Sequence, residues 1–155
     1  MYVDALLALS GSITGNTVTG QDVHASGASV LSTNTIDLGS ARDLGAGNDL
    51  AKARFEVTVA GAAGTSVEMQ VIAADAANLT GNVTVIGTTG AIPVANLTLG
   101  ARFEAEINTR LMSKGQRYIG FNYVNVGAMT GITVYGDIGP DVEDFKTYPV
   151  GFAVL

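Results

Sequence analysis

From Lys52 onward, hydrophobic and polar residues alternate with a period of two. Phe55, Val57 and Val59 are separated by Glu56 and Thr58, and Val67, Met69 and Val71 by Glu68 and Gln70. Phe103, Ala105 and Ile107 alternate with Glu104 and Glu106 in the same way. Successive side chains of a strand point to opposite faces, so each of these runs predicts a half-buried strand. Tyr118 to Val126 is a longer aromatic strand with Ile119, Phe121 and Tyr123 on one face, and Ile132 to Tyr135 follows after Gly127–Gly131. Asn82 to Gly87 is a shorter strand. Ala91 to Val94 is a strand or an edge segment, because Pro93 cannot donate to a central ladder. Gly61-Ala-Ala-Gly64 predicts a hairpin connection and Met112 to Gln116 a turn. Adding Val30–Leu38, which is rich in β-branched residues, the chain predicts about eight strands with turn signals every 8–12 residues, the pattern of a two-sheet sandwich or barrel.

The pattern is different at both ends. Residues 3–9 spell two helical turns with Val3, Leu6 and Leu7 on one side. A helix that short is unstable alone, so it must dock on its own body or on a neighbour. Ser10 to Ser29 is Gly, Ser, Thr, Asn and Val with little bulk: either an extended arm or a pair of weak edge strands in the same sheet. Leu38–Leu50 is a loop in which Gly39, Gly45 and Gly47 are available for positive φ. Gly139-Pro140-Asp141 breaks the last strand. The apolar run Tyr148–Leu155 beyond it needs cover, by folding back as an edge strand or by lying over a neighbouring subunit. The expected organisation is therefore a docking arm at 1–29, a sandwich at 30–137, and a tail at 138–155.

At 155 residues the chain makes one domain, able to bury about 70% of its unfolded surface. It has no cysteine, so packing or assembly must stabilise it. Only 14% of its residues are charged, which leaves a neutral surface suited to close contact with other proteins. The net charge of −6 argues against nucleic acid, which needs Lys and Arg at its phosphates. Residues 1–35 hold no Lys or Arg. Asp137, Asp141, Glu143 and Asp144 form an acidic stretch, either a solvated turn or a face for a basic partner. Val3–Leu9 is too short for a signal core and carries Asp4 where a basic residue belongs. No run is long enough to span a bilayer, so no membrane partner is expected.

Candidate chemistry is sparse. His24 is the single histidine, which leaves Ser-His or Cys-His catalysis and a zinc site with too few groups. Glu104 and Glu106 share a strand face near Arg102, Arg110, Lys114 and Arg117, and form a solvated or cross-strand salt-bridged face before they form a glycosidase dyad. Asp37, Asp43 and Asp49 around the glycine-rich loop match no EF-hand spacing. Gly45-Ala-Gly47 lacks the third glycine of a dinucleotide fingerprint. No enzyme, cofactor or metal is expected. Arg42, between two Leu-Gly steps, either pairs with Asp43 to fix the loop or meets a partner carboxylate.

Four segments in order carry a resemblance. Ser32-Thr-Asn-Thr-Ile-Asp-Leu-Gly-Ser-Ala-Arg-Asp-Leu-Gly45 resembles a signature of the tailed-phage jelly-roll capsid cement (decoration) proteins. Met1-Tyr-Val-Asp-Ala-Leu-Leu-Ala-Leu-Ser10 is similar to their N-terminus, Ala91–Phe103 to their mid-chain connection, and Gln116-Arg-Tyr-Ile-Gly-Phe-Asn-Tyr123 to a late strand. The resemblance covers most of residues 1–137. It implies an all-β, jelly-roll-like sandwich with an extended N-terminal arm. It also implies a non-enzymatic role: clamping neighbouring major capsid subunits on the outer surface of a virion assembled in the host cytoplasm. The expected partners are the major capsid protein and further copies of the chain, a dimer ahead of a trimer. The expected contacts are Tyr2, Leu6, Leu7, Asp37, Arg42, Asp43, Phe152 and Leu155. With residues 1–29 as a detachable arm, their deletion is expected to leave a folded domain that no longer decorates. The alternative is a carbohydrate- or receptor-binding sandwich of a phage tail. Such sites stack sugars on exposed aromatics, whereas most of the five Tyr and five Phe here fall in alternating strands and predict core.

Overall fold

The computed structural model describes residues 7–40 and 52–139. Two antiparallel sheets enclose one core. The first is built from β1 (Ala8–Ser10), β4 (Gln21–Asp22), β7 (Lys52–Ala63), β10 (Arg102–Glu106) and β12 (Met129–Gly139), with β1 and β4 both on β12 in the order β1-β12-β7-β10. The second holds β5 (Ser29–Leu31), β6 (Ile36–Asp37), β8 (Ser66–Ala74), β9 (Thr84–Pro93) and β11 (Tyr118–Val126), with β5 and β6 both on β11 in the order β5-β11-β8-β9. A separate hairpin, β2 (Ser12–Thr14) and β3 (Thr17–Thr19), is inserted between β1 and β4. Counting β1/β4 and β5/β6 as one interrupted strand each, the sheets read 1-8-3-6 and 2-7-4-5 along the chain. That is the strand order of a jelly roll.

The core follows from the alternation. Ala53, Phe55 and Val57 of β7 face Val67, Met69 and Val71 of β8 and Ile119, Phe121 and Tyr123 of β11, all buried. The Phe55 ring meets Phe121 edge-on at 4.8 Å and Tyr123 at 6.1 Å. The Tyr123 hydroxyl donates to Ser10 at 2.7 Å, so this fully buried hydroxyl is satisfied.

Several local expectations are corrected. Gly61–Gly64 is not a hairpin: β7 and β8 lie in different sheets, and Ala63 and Gly64, at φ 54° and 72°, turn the chain from one to the other. The segments at 82–87 and 91–94 merge into β9, and Ile107 lies beyond β10. Val59 is 53% exposed although it continues the Phe55 and Val57 alternation. Val57 pairs with Val134 but Val59 with the adjacent Thr133, so Thr58 is an extra residue that flips the following side chain outward. Val30–Leu38 is broken into β5 and β6 because Ser32 turns inward, its hydroxyl accepting the Phe121 N–H and donating to the Asn34 carbonyl. Ala8 and Leu9, expected at the end of a helix, are in strand β1.

Ser10–Ser29 is neither an extended arm nor a pair of edge strands in one sheet: β4 lies on the edge of the first sheet, while β2 and β3 form their own hairpin. β1 and β4 pair with β12, β5 pairs with β11, and Leu9, Ser10 and Val23 are buried in the body. Only the hairpin stands apart. A deletion of residues 1–29 would therefore remove core, which corrects the expectation that a folded domain survives it.

Candidate functional site

One end of the sandwich gathers the points at which the chain enters and leaves the described body. Ala8 lies opposite Asp137 and Lys52 opposite Gly139, so the start of β1, the start of β7 and the end of β12 are neighbours. Tyr118 at the start of β11 pairs with Asp37, and the Leu38 N–H donates to the Arg117 carbonyl at 3.0 Å. β11 and β12 turn at Gly127-Ala128 at the far end, so these features share the near end. Asn34 ties the two sheets there, its backbone N–H donating to the Leu9 carbonyl and its side chain to the Ala8 carbonyl.

Asp37 is held at this end by two neighbours through three hydrogen bonds. Arg117 donates to both carboxylate oxygens, one at 2.6 Å, and the Gly39 N–H donates at 2.8 Å. Arg117 also lies over the Tyr118 ring, 5.3 Å from its centroid. The Arg117 guanidinium first, and then the Gly39 N–H, hold the Asp37 carboxyl below the ordinary carboxylate range. Gly39 has φ 76°, a conformation that favours glycine, so the chain leaves β6 through a turn fixed by Asp37.

Beneath the same end is a buried ion pair. Arg54 of β7 donates to Asp137 of β12 through two parallel bonds, 2.8 and 2.7 Å long, and the Tyr135 hydroxyl donates to the same carboxylate at 3.4 Å. The register places all three side chains on the outer face of the sheet, yet Arg54 is 6% and Asp137 1% exposed. Asp137 is therefore not part of a solvated acidic turn, which corrects that reading. Arg54 and Asp137 lie two residues inward from Lys52 and Gly139, and so lock β7 to β12 where both strands end. Gly139 has no room for a side chain, because a Cβ there would run into the Arg54 guanidinium. Arg102 pairs with Glu56 at 3.2 Å and Lys52 with Glu104 at 3.7 Å, so the expected cross-strand face exists. Its partners come from β7 rather than from Arg110, Lys114 or Arg117.

Of the expected contact residues, Asp37 and Leu7 are described. Both are at this end, Leu7 half-buried and Asp37 exposed. Tyr2, Leu6, Arg42, Asp43, Phe152 and Leu155 lie outside the described residues. The fold brings the approaches to all of them together, since residues 1–6, 41–51 and 140–155 all join the body here. Sequence reasoning missed Arg54, Tyr135 and Arg117. Nothing local marks a pair 83 positions apart. Arg117 stands beside an aromatic strand start, but its partner is on another strand.

A small-molecule site is not favoured. The hollow lined by Arg54, Glu56, Arg102, Phe103 and Tyr135 holds about 20 Å³, room for about one water. Among the described residues no three His, Asp or Glu side chains converge as metal ligands, and no helix is long and apolar enough to cross a membrane. Phe55, Phe121, Tyr123 and Tyr135 are buried and Phe103 and Tyr118 half-buried, so the described aromatics offer no open sugar platform.

A family model named Bbp16 matches residues 18–137, most of the chain. The chain belongs to the Bbp16 family. The family's name points to a phage protein, the coarser part of the resemblance drawn from the sequence. The Bbp16 match runs from Val18 in β3 to Asp137, and so takes in the Arg54–Asp137 and Asp37–Arg117 pairs. β1, β2 and the residues after Asp137 fall outside it. No curated protein matches the chain.

Proposed function

We propose that this Bbp16-family chain is a structural phage protein that decorates the outer surface of a capsid and clamps neighbouring major capsid subunits, with no enzymatic activity. The observation that carries the reading is that Ala8, Leu38, Lys52 and Gly139, the described residues nearest to 1–6, 41–51 and 140–155, lie at one end of the jelly roll. A clamp needs a stiff block and several contact segments on one side of it. The sandwich supplies the block, and the Arg54–Asp137 and Asp37–Arg117 pairs fix the points from which the segments depart. Each contact can be weak, because many copies on a closed shell act together. Tyr2, Leu6, Leu7, Arg42, Asp43, Phe152 and Leu155 are the contacts proposed. Asp37 serves them from within, by fixing the turn at Gly39, from which the chain runs on towards Arg42 and Asp43.

The first test is a peptide count on purified virions. A ratio to the major shell protein near one, or a simple fraction of it, is the expected result. A few copies per particle would place the chain in a tail and revive the receptor-binding reading. The second test is Arg42→Ala, which is expected to weaken binding to undecorated heads while the melting temperature stays constant. A lowered melting temperature with unchanged binding would assign Arg42 to the loop alone.

A further inference from the structure

The described residues hold six Lys and Arg side chains, and four of them are paired: Lys52 with Glu104, Arg54 with Asp137, Arg102 with Glu56 and Arg117 with Asp37. Arg110 and Lys114 are the other two. Both are exposed, and among the described residues neither side chain has an ion-pair partner. Residues 107–117, which carry them, hold no Asp or Glu, so this is a basic stretch in a chain of net charge −6. Asp75 lies beside Gly115, but its carboxylate accepts from the Asn82 side chain, at 3.4 Å, and not from Lys114.

The stretch is built as a platform. It joins β10 of the first sheet to β11 of the second at the near end of the sandwich, where Glu106 lies opposite Lys52 and Tyr118 opposite Asp37. Ile107 and Met112 pack on the main core. The Asn108 N–H donates to the Ile86 carbonyl at 2.7 Å, and its side chain accepts the Arg110 N–H at 3.2 Å, which opens a single 3-10 turn at Thr109–Leu111. Gln116 is buried. Its Oε1 accepts the Ser113 N–H at 2.7 Å, and its Nε2 donates to the Ala73 carbonyl and to Thr84. Arg110 and Lys114 therefore stand on a backbone that is already ordered, which lowers the entropy lost when a partner is met. Leu111, between them in sequence, is 52% exposed.

We propose that this loop docks on an acidic patch of the capsid, with Arg110 and Lys114 each meeting a carboxylate of the major capsid protein and Leu111 covering an apolar contact beside them. The inference rests on the decoration reading and deepens it, by giving the capsid-facing end a recognition chemistry. Opposite charges at a rim steer the encounter and fix its register. The occupant is a protein surface and not a nucleic acid. A net charge of −6 opposes any polyanion that extends beyond the loop, and a leucine gains nothing from phosphate. Carboxylates around an apolar centre match all three side chains, in the usual arrangement of a protein interface.

The experiment is binding of the full chain to undecorated heads at about 0.05 M and about 0.5 M salt. Arg110→Gln/Lys114→Gln is the variant. Ala95→Glu/Thr98→Glu is the control for the same change in net charge, placed at the opposite end of the sandwich, just past Pro93. At low salt the wild type and the control are expected to bind alike and the variant about tenfold more weakly, with its melting temperature unchanged. At high salt the wild type is expected to fall towards the variant. Leu111→Ser is expected to bind about fivefold more weakly at both salt concentrations. Equal binding of the double variant, or of Leu111→Ser, to heads that the wild type decorates would overturn this contact and leave the decoration reading standing. Heads that do not bind the wild type at all would overturn both. Should the double variant melt earlier, the wild type decides, and salt-independent binding would overturn the proposal. Duplex DNA bound by the wild type and not by the double variant would assign the loop to nucleic acid instead.

Discussion

Arg54 and Asp137 show how much a single pair fixes in this molecule. Each lies on the outer face of its strand, and neither is solvated. Breaking a buried pair strands the remaining charge, so Asp137→Ala is expected to cost about 3–5 kcal/mol in urea denaturation. Arg54→Met with Asp137→Leu is expected to cost less than the single change, because no buried charge remains unpaired. Gly139→Ala forces the Arg54 guanidinium aside and is expected to cost about 1–3 kcal/mol, the range for overpacking a filled site. Asp37 adds a pH dependence. Its carboxyl is held below the ordinary range by Arg117 and Gly39, so its contribution is present above about pH 4 and lost as the pH falls through the lower folded value. Asp37→Asn is expected to shift the melting temperature near neutrality and to converge with the wild type in strong acid. Equal differences at both pH values would rule out this linkage.

At the scale of elements, the β8–β9 connection does more than link two strands. Leu79, at φ 57°, folds back on the outer face of its sheet, where it packs with Ile72, Ala74 and Tyr118 in a second small cluster. Its methyl groups fill the space that a side chain at Gly120 would need. Gln116 ties the same loop down, donating to the Ala73 and Asn82 carbonyls and to Thr84. Leu79→Ala is expected to cost about 2 kcal/mol, at the low end for a buried leucine because the cluster is small. Hydrogen exchange should speed up over residues 75–83 and leave β11 and β12 protected. Uniform loss of protection would mean that this cluster folds as one unit with the main core. The hairpin lesson is also at this scale: Gly15-Asn16 between Ile13 and Val18 was a turn signal, masked by the low hydrophobicity of the surrounding Ser and Thr.

At the scale of the whole molecule, the N-terminal stretch belongs to the body from Ala8 onward. Removing residues 1–29 takes away Leu9, Ser10 and Val23, and circular dichroism is expected to show an unfolded chain. Removing residues 1–6 is expected to keep the melting transition and to lower binding to undecorated heads. A folded 30–155 fragment would contradict the core described here. What the sequence determined by itself was the strand content and the inward faces, because alternation is a local property and burial of Phe55, Val57, Phe121 and Tyr123 follows from it. Its limits were at the exceptions to alternation. The extra residue at Thr58 turned Val59 outward, and the inward Ser32 split one strand into two. The crossing at Ala63-Gly64 looked like a hairpin because a tight turn has the same residues whether it joins one sheet or two. Of the candidate site, Asp37 was legible as a turn residue before a glycine. The partner of Asp37, the Arg54–Asp137 lock and the gathering of Ala8, Leu38, Lys52 and Gly139 at one end were not. Those depend on which strands pair and in what register, and that is decided by closure of the two sheets over a shared core, between residues 80 or more positions apart.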